Sequence, residues 1–307
     1  MKILTLTMNP TIDINSRVDQ VVAEKKLRCE QPDYEPGGGG INVSRAIRKL
    51  GGKSEAMYLS GGANGNLLGQ LLDKEEITQS QVAIGKLTRE NFHIRETSGS
   101  QQFRFAMPGP EVEEEEWESC LEQVRSKNPK PEFIVASGSL PPGVPDDFYA
   151  RLAKQCKDAG IHFILDTAGK SLRIAFEQGV FLIKPNMREI QDIIDKEIEN
   201  EYQLKEIAGT LLNKANSEVI VISLGAGGAL VITKDDCSHL RSPTVPIKSK
   251  VGAGDSMTAG IVLALSRSNK LIDAVKFGVA AGAAAVMTPG TELCRREDAE
   301  RIYNQMD

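Results

Sequence analysis

Short runs of apolar and β-branched residues recur along this chain at 3–7, 56–60, 133–136, 162–165, 180–183 and 219–223, separated by segments with helical spacing. This alternation constrains the fold more than any other feature. Strands that follow one another through helices pair in parallel and are covered on both faces. The expectation is an α/β fold with a mostly parallel central sheet between helical layers. Several runs end in small or polar residues: Ser137-Gly138-Ser139, Asp166-Thr167, Lys184-Pro185-Asn186 and Ser223-Leu224-Gly225. Open α/β sheets bind ligands at the carboxyl ends of their strands, so these tails mark the expected edge for a site.

Two segments break the alternation, residues 12–36 and 88–108. Within the second, Phe92-His93-Ile94-Arg95 and Gln102-Phe103-Arg104-Phe105 alternate apolar with polar residues, the spacing of antiparallel hairpin strands. The two segments read as a small sheet projecting from the body, able to close over a site and, through its open edges, to pair with a second subunit. Internal repeats and long linkers are absent, so residues 1–307 are read as one domain whose lid is formed by about 12–36 and 88–108. The acidic run Glu113-Glu114-Glu115-Glu116 reads as a solvated helix start, where the helix dipole favours carboxylates.

A chain of 307 residues with 40% hydrophobic content buries a substantial core. Its net charge of −5 excludes a broad basic surface for nucleic acid or anionic membrane, so neither is expected as a partner. The five cysteines are odd in number and widely spaced, with no Cys-x-x-Cys pair for zinc or redox work. Lys2 leads straight into the first strand run without a signal-peptide pattern, which makes a cytoplasmic protein the expectation. The apolar run at 277–287 is shorter than the roughly 18 residues that span a bilayer, and reads as a buried helix.

The strongest local signal is Val251-Gly252-Ala253-Gly254-Asp255-Ser256, followed by helical spacing over 257–265. Glycines before a helix let backbone approach an anion, and the unpaired N–H groups of the first turn point at it. Asp255 at this helix start fits two roles: a base taking a proton from a hydroxyl that attacks a phosphate, or a plain N-cap. The second signal is Pro36-Gly37-Gly38-Gly39-Gly40-Ile41-Asn42-Val43. So many glycines suit either bare backbone against a ligand or a flexible turn, and Asn42 suits either a cap or a sugar-hydroxyl contact. Walker loops are excluded: the two Gly-Lys-Ser sequences would need glycine where Ile47 and Ile164 stand. No dinucleotide fingerprint follows the first strand, which turns at Met8-Asn9-Pro10.

Together and in this order, these pieces resemble the ribokinase-like (PfkB) sugar kinases over essentially the whole chain. The matching pieces are Asp13, the glycine loop with Asn42, Thr88-Arg89-Glu90-Asn91, Ser137 to Pro141, Lys184 to Glu189, Ser223-Leu224-Gly225 and the turn from Gly252 to Asp255. The resemblance implies a three-layer α/β/α sandwich with a projecting β-sheet lid, a homodimer through that lid, and ATP with Mg2+. It implies Asp255 as general base, with the amides of Gly252, Ala253 and Gly254 as an anion hole. Asp13, Gly38, Gly39 and Asn42 would line the sugar pocket, and Arg89 and Ser139 would take the phosphate already on the substrate, with Arg104 as a further substrate contact. Lys184, Asn186, Glu189, Ser223, Gly225 and Gly228 would serve the nucleotide and its magnesium, with Val279 and Ala283 beneath the adenine. Ser249, Val251, Ala285, Thr288 and Gly290 would form a site for K+ built mainly from backbone carbonyls.

Many members of that family carry lysine at the position of Gly39. The form found here, with Lys26-Leu27-Arg28-Cys29 upstream and Gln102 to Gly109 downstream, resembles the minor bacterial 6-phosphofructokinases. It implies phosphorylation of fructose 6-phosphate at its 1-hydroxyl, ahead of the tagatose-6-phosphate kinase and 1-phosphofructokinase activities. A sensor that binds sugar phosphate without reacting is the reading of another class, since a fold tolerates loss of its chemistry. The retained Asp255 argues against it.

Overall fold

The computed structural model describes residues 2–99, 101–194 and 201–306. The chain opens with β1 (Ile3–Thr7), β2 (Thr11–Val18), β3 (Asp33–Gly37), α1 (Gly39–Lys49), β4 (Glu55–Ser60), α2 (Gly62–Lys74), β5 (Thr78–Ala83), β6 (Arg89–Glu96) and β7 (Gln102–Phe105). It continues with α3 (Glu114–Arg125), β8 (Phe133–Ser137), α4 (Phe148–Asp158), β9 (His162–Asp166), α5 (Gly169–Gln178), β10 (Leu182–Ile183), α6 (Met187–Ile194) and α7 (Glu201–Lys214). The last elements are β11 (Val219–Ser223), β12 (Ala229–Ile232), β13 (Cys237–Leu240), α8 (Ala253–Ser266), α9 (Leu271–Val286) and α10 (Arg296–Gln305).

The central sheet has the order β13-β12-β11-β10-β9-β8-β1-β4-β5. It is parallel from β5 to β11, as the alternation requires, because each of those strands returns through a helix. Its strands bury alternate residues on opposite faces. Leu4, Leu6, Ile134 and Ala136 face the core under α3 to α7. Ile3, Phe133 and Val135 face the core under α1 and α8 to α10.

The run-based reading needs correcting in three places. At 180–183 only Leu182–Ile183 is strand. The sheet also has members that the runs did not reveal, β5 and the antiparallel pair β12 and β13. β5 is an edge strand carrying Gln79, Ser80 and Gln81, so it has no apolar run to recognise. The buried run of β12 is only four residues long and starts directly after the turn at Gly228.

The second sheet has the order β3-β2-β6-β7. Its two hairpin pairings are antiparallel as expected, but β2 and β6 join them in parallel. Both strands leave the same edge of the body, β2 after β1 and β6 after β5. Ile12 and Ile14 of β2 pack with Leu68 and Leu72 of α2, which ties this sheet to the body. The acidic run forms a capping box, with Glu113 and Glu116 closing the first turn of α3.

The four glycines owe more to packing than to mobility. Gly38 takes φ 114° as the N-cap of α1. A Cβ on Gly39 would lie 2.3 Å from Ser137 Oγ, and one on Gly40 would lie 2.4 Å from the Leu6 carbonyl oxygen. The loop therefore presses bare backbone against the ends of β1 and β8, which brings the start of α1 to the carboxyl edge of the sheet. Among the described residues, no helix is long and apolar enough to cross a membrane.

Candidate active site

A cavity of about 790 Å³ opens at the carboxyl ends of β8 to β11. Its lining includes Gly39, Ser139, Asp166, Lys184, Asn186, Glu189, Ser223, Gly254 and Asp255. Residues from remote parts of the chain thus meet where the sheet topology directs them.

Helix α8 begins at this cavity. Gly252 is its N-cap with φ 72°, and its first internal hydrogen bond runs from the Ser256 N–H to the Gly252 carbonyl (2.8 Å). The amides of residues 253–255 consequently have no partner within the helix. Asp255 is the third helical residue rather than the cap, which corrects the N-cap alternative. Its Oδ2 accepts a hydrogen bond from Asn42 Nδ2 (3.0 Å). Asn42 lies inside α1, whose cap is Gly38, so the capping role considered for Asn42 is also corrected.

Behind Asn42 stands a buried cation. Arg45 donates to Glu75 (2.7 to 2.9 Å), to the Pro36 carbonyl (3.1 Å) and to Asn42 Oδ1 (3.5 Å). With its oxygen held by Arg45, the Asn42 amide presents its N–H to Asp255. Burial and the neighbouring charge of Asp166 push the Asp255 carboxyl up to about 7, against the opposing pull of Asn42, Lys184 and Arg45.

Asp166 sits opposite. Its Oδ2 accepts from Lys184 Nζ (3.1 Å) and from Thr258 Oγ1 (3.0 Å). Burial works against the charge of Lys184, but the Asp166 carboxylate beside it, with Asp255 and Glu189 farther off, raises its pKa. The cavity is thus a pair of carboxylates around a fixed ammonium, facing open amides. Such an arrangement suits a polyanion whose charge moves during reaction. Asp166 went unassigned from sequence, although the polar ending of its strand was the available signal.

Asn186 and Glu189 have a structural task as well. Asn186 Oδ1 accepts from the Arg188 and Glu189 amides (2.9 and 3.0 Å), and Glu189 Oε2 accepts from the Asn186 amide (2.8 Å). This is a reciprocal cap on α6 that leaves both side chains in the cavity wall. Burial raises the Glu189 pKa. Ser223 joins the wall from the end of β11.

Other sequence-selected residues lie outside the cavity lining. Asp13 is buried on β2 and accepts from Asn91 Nδ2 (3.1 Å), with burial raising its pKa. Arg89, at the start of β6, donates to the carbonyls of Met107 (2.9 Å) and Asn9 (3.0 Å). Arg104 is exposed on β7. Gly225 and Gly228 form the turn between β11 and β12, while Val279 and Ala283 are buried on α9.

The residues selected for a monovalent cation lie close together. Ser249 Oγ donates to the Gly290 carbonyl (2.9 Å) and accepts from the Val251 amide (3.2 Å), and Thr288 Oγ1 donates to the Ala285 carbonyl (2.8 Å). This oxygen-only set has the donor chemistry of a hard cation.

The match to the pfkB family of carbohydrate kinases spans residues 6–298. The ATP-dependent 6-phosphofructokinase isozyme 2 of Mycobacterium tuberculosis is 43% identical over 302 residues, covering 98% of this chain and 89% of that protein. The 1-phosphofructokinase of Bacillus subtilis is 30% identical, covering 94% and 95%. The crystal structure of phosphofructokinase-2 from Escherichia coli in complex with potassium aligns with a TM-score of 0.95 at 38% identity, covering 99% and 98%. The structure of the same enzyme in complex with fructose-6-phosphate aligns at 0.93 and 37%, covering 99% of each chain.

The raised carboxyl of Asp255 makes a stability prediction. Its proton is bound more tightly in the folded chain, so that contribution is complete below about pH 4 and lost as pH rises through about 7. Asp255→Asn removes the titration. Thermal midpoints should therefore be higher for the variant than for the unsubstituted protein near pH 8, with the gap changing in the unsubstituted protein's favour as pH falls toward about 4. A gap independent of pH would contradict the burial of an ionised Asp255.

Proposed function

Because this chain belongs to the pfkB family of carbohydrate kinases, we propose that it transfers the γ-phosphoryl group of ATP to the 1-hydroxyl of fructose 6-phosphate, giving fructose 1,6-bisphosphate and ADP. The observation that carries this reading is the placement of the Asp255 carboxylate one turn-step from the open amides of α8, in a cavity that also holds Lys184. The relatives that phosphorylate fructose 6-phosphate, at higher identity than the 1-phosphofructokinase, favour this acceptor.

In the proposed mechanism the acceptor hydroxyl lies against Asp255, whose Oδ2 is held by the Asn42 amide. Asp255 takes its proton as the oxygen attacks the γ-phosphorus, and the bond from that phosphorus to the β,γ-bridging oxygen breaks to release ADP. The amides of Gly252, Ala253 and Gly254, at the positive end of α8, stabilise the charge on the group in transit. Lys184 neutralises charge on the nucleotide phosphates while Asp166 keeps it in place. Catalysis of this kind is mainly positioning and electrostatics.

Arg89 and Ser139 hold the phosphate already on the sugar, with Asp13 and the backbone at Gly38 and Gly39 around its hydroxyls. Arg104 completes the substrate contacts when the small sheet closes as a lid over the single domain of residues 1–307. Ser223, Gly225 and Gly228 take the nucleotide, with Val279 and Ala283 on the helix behind its adenine. Asp166, Asn186 and Glu189 offer oxygen ligands of the kind Mg2+ prefers, and the ion would neutralise phosphate charge there. K+ would be held by the cluster of Ser249, Val251, Ala285, Thr288 and Gly290, just before and beside the start of α8, where it would add positive potential to the anion hole. The potassium complex of the similar structure supports K+ as an ion for such an enzyme.

The free edges of the small sheet support a homodimer through the lid, since Tyr34 on β3 and Phe105 and Met107 at β7 expose large apolar side chains there.

A coupled ADP-release assay over fructose 6-phosphate, fructose 1-phosphate, tagatose 6-phosphate and the free sugars tests the activity. Fructose 6-phosphate should give the highest kcat/KM, and Asp255→Asn should lower kcat by roughly a hundred to ten thousand fold. Preference for another acceptor would reassign the substrate, binding without ADP release would make the protein a sensor, and a nearly normal Asp255→Asn would remove Asp255 as base. Sedimentation equilibrium at assay concentration should give twice the chain mass, and monomers would exclude the lid dimer.

A further inference from the structure

Asn9 follows β1 in the turn Met8-Asn9-Pro10 and is only 7% exposed. Three separate segments converge on it. Its Nδ2 donates to Ser139 Oγ at 3.2 Å, after β8. Its backbone carbonyl accepts from Arg89 Nη2 at 3.0 Å, at the base of β6. From the third side, a Cβ built on Gly109 would stand 2.4 Å from Asn9 Oδ1, so the loop after β7 packs against the amide.

Two polar atoms in this cluster are buried and unpartnered among the described residues, Asn9 Oδ1 and Arg89 Nε. A guanidinium has five N–H donors, and here two carbonyls engage one nitrogen each while Nε has no partner. An unsatisfied donor on a buried cation is costly, and a phosphate satisfies it with charge-assisted hydrogen bonds.

The direction of the Asn9 bond to Ser139 then matters. A hydroxyl that accepts from an amide N–H keeps its own proton for another acceptor. A carboxylate in place of that amide would instead draw the proton toward itself.

We propose that Asn9 is a positioning residue for the phosphorylated end of the substrate: its amide fixes Ser139 as a donor toward a phosphate oxygen, and its carbonyl aims Arg89 at the same group. Asn9 acts through Ser139 and Arg89 and takes no part in phosphoryl transfer. This inference rests on the functional reading given above, and it accounts for the asparagine of the Met-Asn-Pro turn and for Gly109, to which no other role falls.

The test is a double-mutant cycle. Asn9→Asp keeps the shape of the side chain and reverses its hydrogen-bond polarity, Asn9→Ala removes the bond, and each is combined with Ser139→Ala. Losing a charge-assisted hydrogen bond should raise KM for fructose 6-phosphate roughly ten- to a hundredfold in Asn9→Asp, and less in Asn9→Ala. The kcat, the KM for ATP and turnover of free fructose should stay within about threefold. The paired substitutions should be scarcely worse than Ser139→Ala alone, because both remove one interaction. Asn9→Ala carries the same test if the aspartate variant fails to fold.

Additive losses, or a KM for ATP that rises in step with that for the sugar phosphate, would overturn the role of Asn9 while leaving the kinase reading intact. An unsubstituted protein with no turnover of any ketohexose phosphate would instead remove the functional reading, and this inference with it.

Discussion

The candidate site depends on a balance among charges that burial makes expensive. Asp255 and Asp166 face one cavity, and the charge of Asp166 adds to burial in raising the cost of ionising Asp255. Lys184, tied to Asp166 at 3.1 Å, supplies one positive charge between them, and Asn42 supplies a hydrogen bond to Asp255. The result is a carboxyl poised near 7, where a small change in surroundings moves its proton. Base catalysis is most efficient when the pKa of the base lies near the working pH, so the same burial that destabilises ionised Asp255 suits it to collect a proton. Arg45 and Glu75 support this balance from behind, by holding the Asn42 amide the right way round.

Four regions of the chain supply these groups, and the fold explains how they meet. The glycine loop drives the start of α1 against β1 and β8, bringing Asn42 to Asp255. Parallel strands β9 and β10 lie side by side, so Asp166 and Lys184 emerge together at their carboxyl ends. Helix α8 lies on the same face as α1 and starts with its open amides toward the same edge. No single segment contains the site, and a shift of α1 relative to α8 would separate Asn42 from Asp255.

Much of this was legible in the sequence. The alternation of runs and helices pointed to the parallel sheet and to the edge where the cavity opens, and the Gly-x-Gly-Asp turn located Asp255 beside open amides. Other parts were hidden for physical reasons. β5 is polar on an exposed edge, and the pairing of β2 with β6 depends on contacts between distant segments that leave no local spacing. Asn42 read as a cap candidate because helix boundaries are uncertain from one sequence, whereas the glycine before it supplies the cap. Asn186 and Glu189 matched a family motif, and the same spacing forms a reciprocal cap on α6. The meeting of Arg45 with Asn42, Asp166 with Thr258, and Asn9 with Ser139 belongs to tertiary structure alone.

The claim at the centre of this account is that a buried carboxylate, raised by its surroundings, must lose its proton before phosphoryl transfer. The most direct measurement is the pH dependence of kcat/KM for fructose 6-phosphate at saturating ATP. Because a base works only when ionised, activity should fall as pH drops, along a limb for one proton with an apparent pKa of about 7. A profile that stays flat down to about pH 5, in a protein that remains folded, would show that no such group controls the reaction.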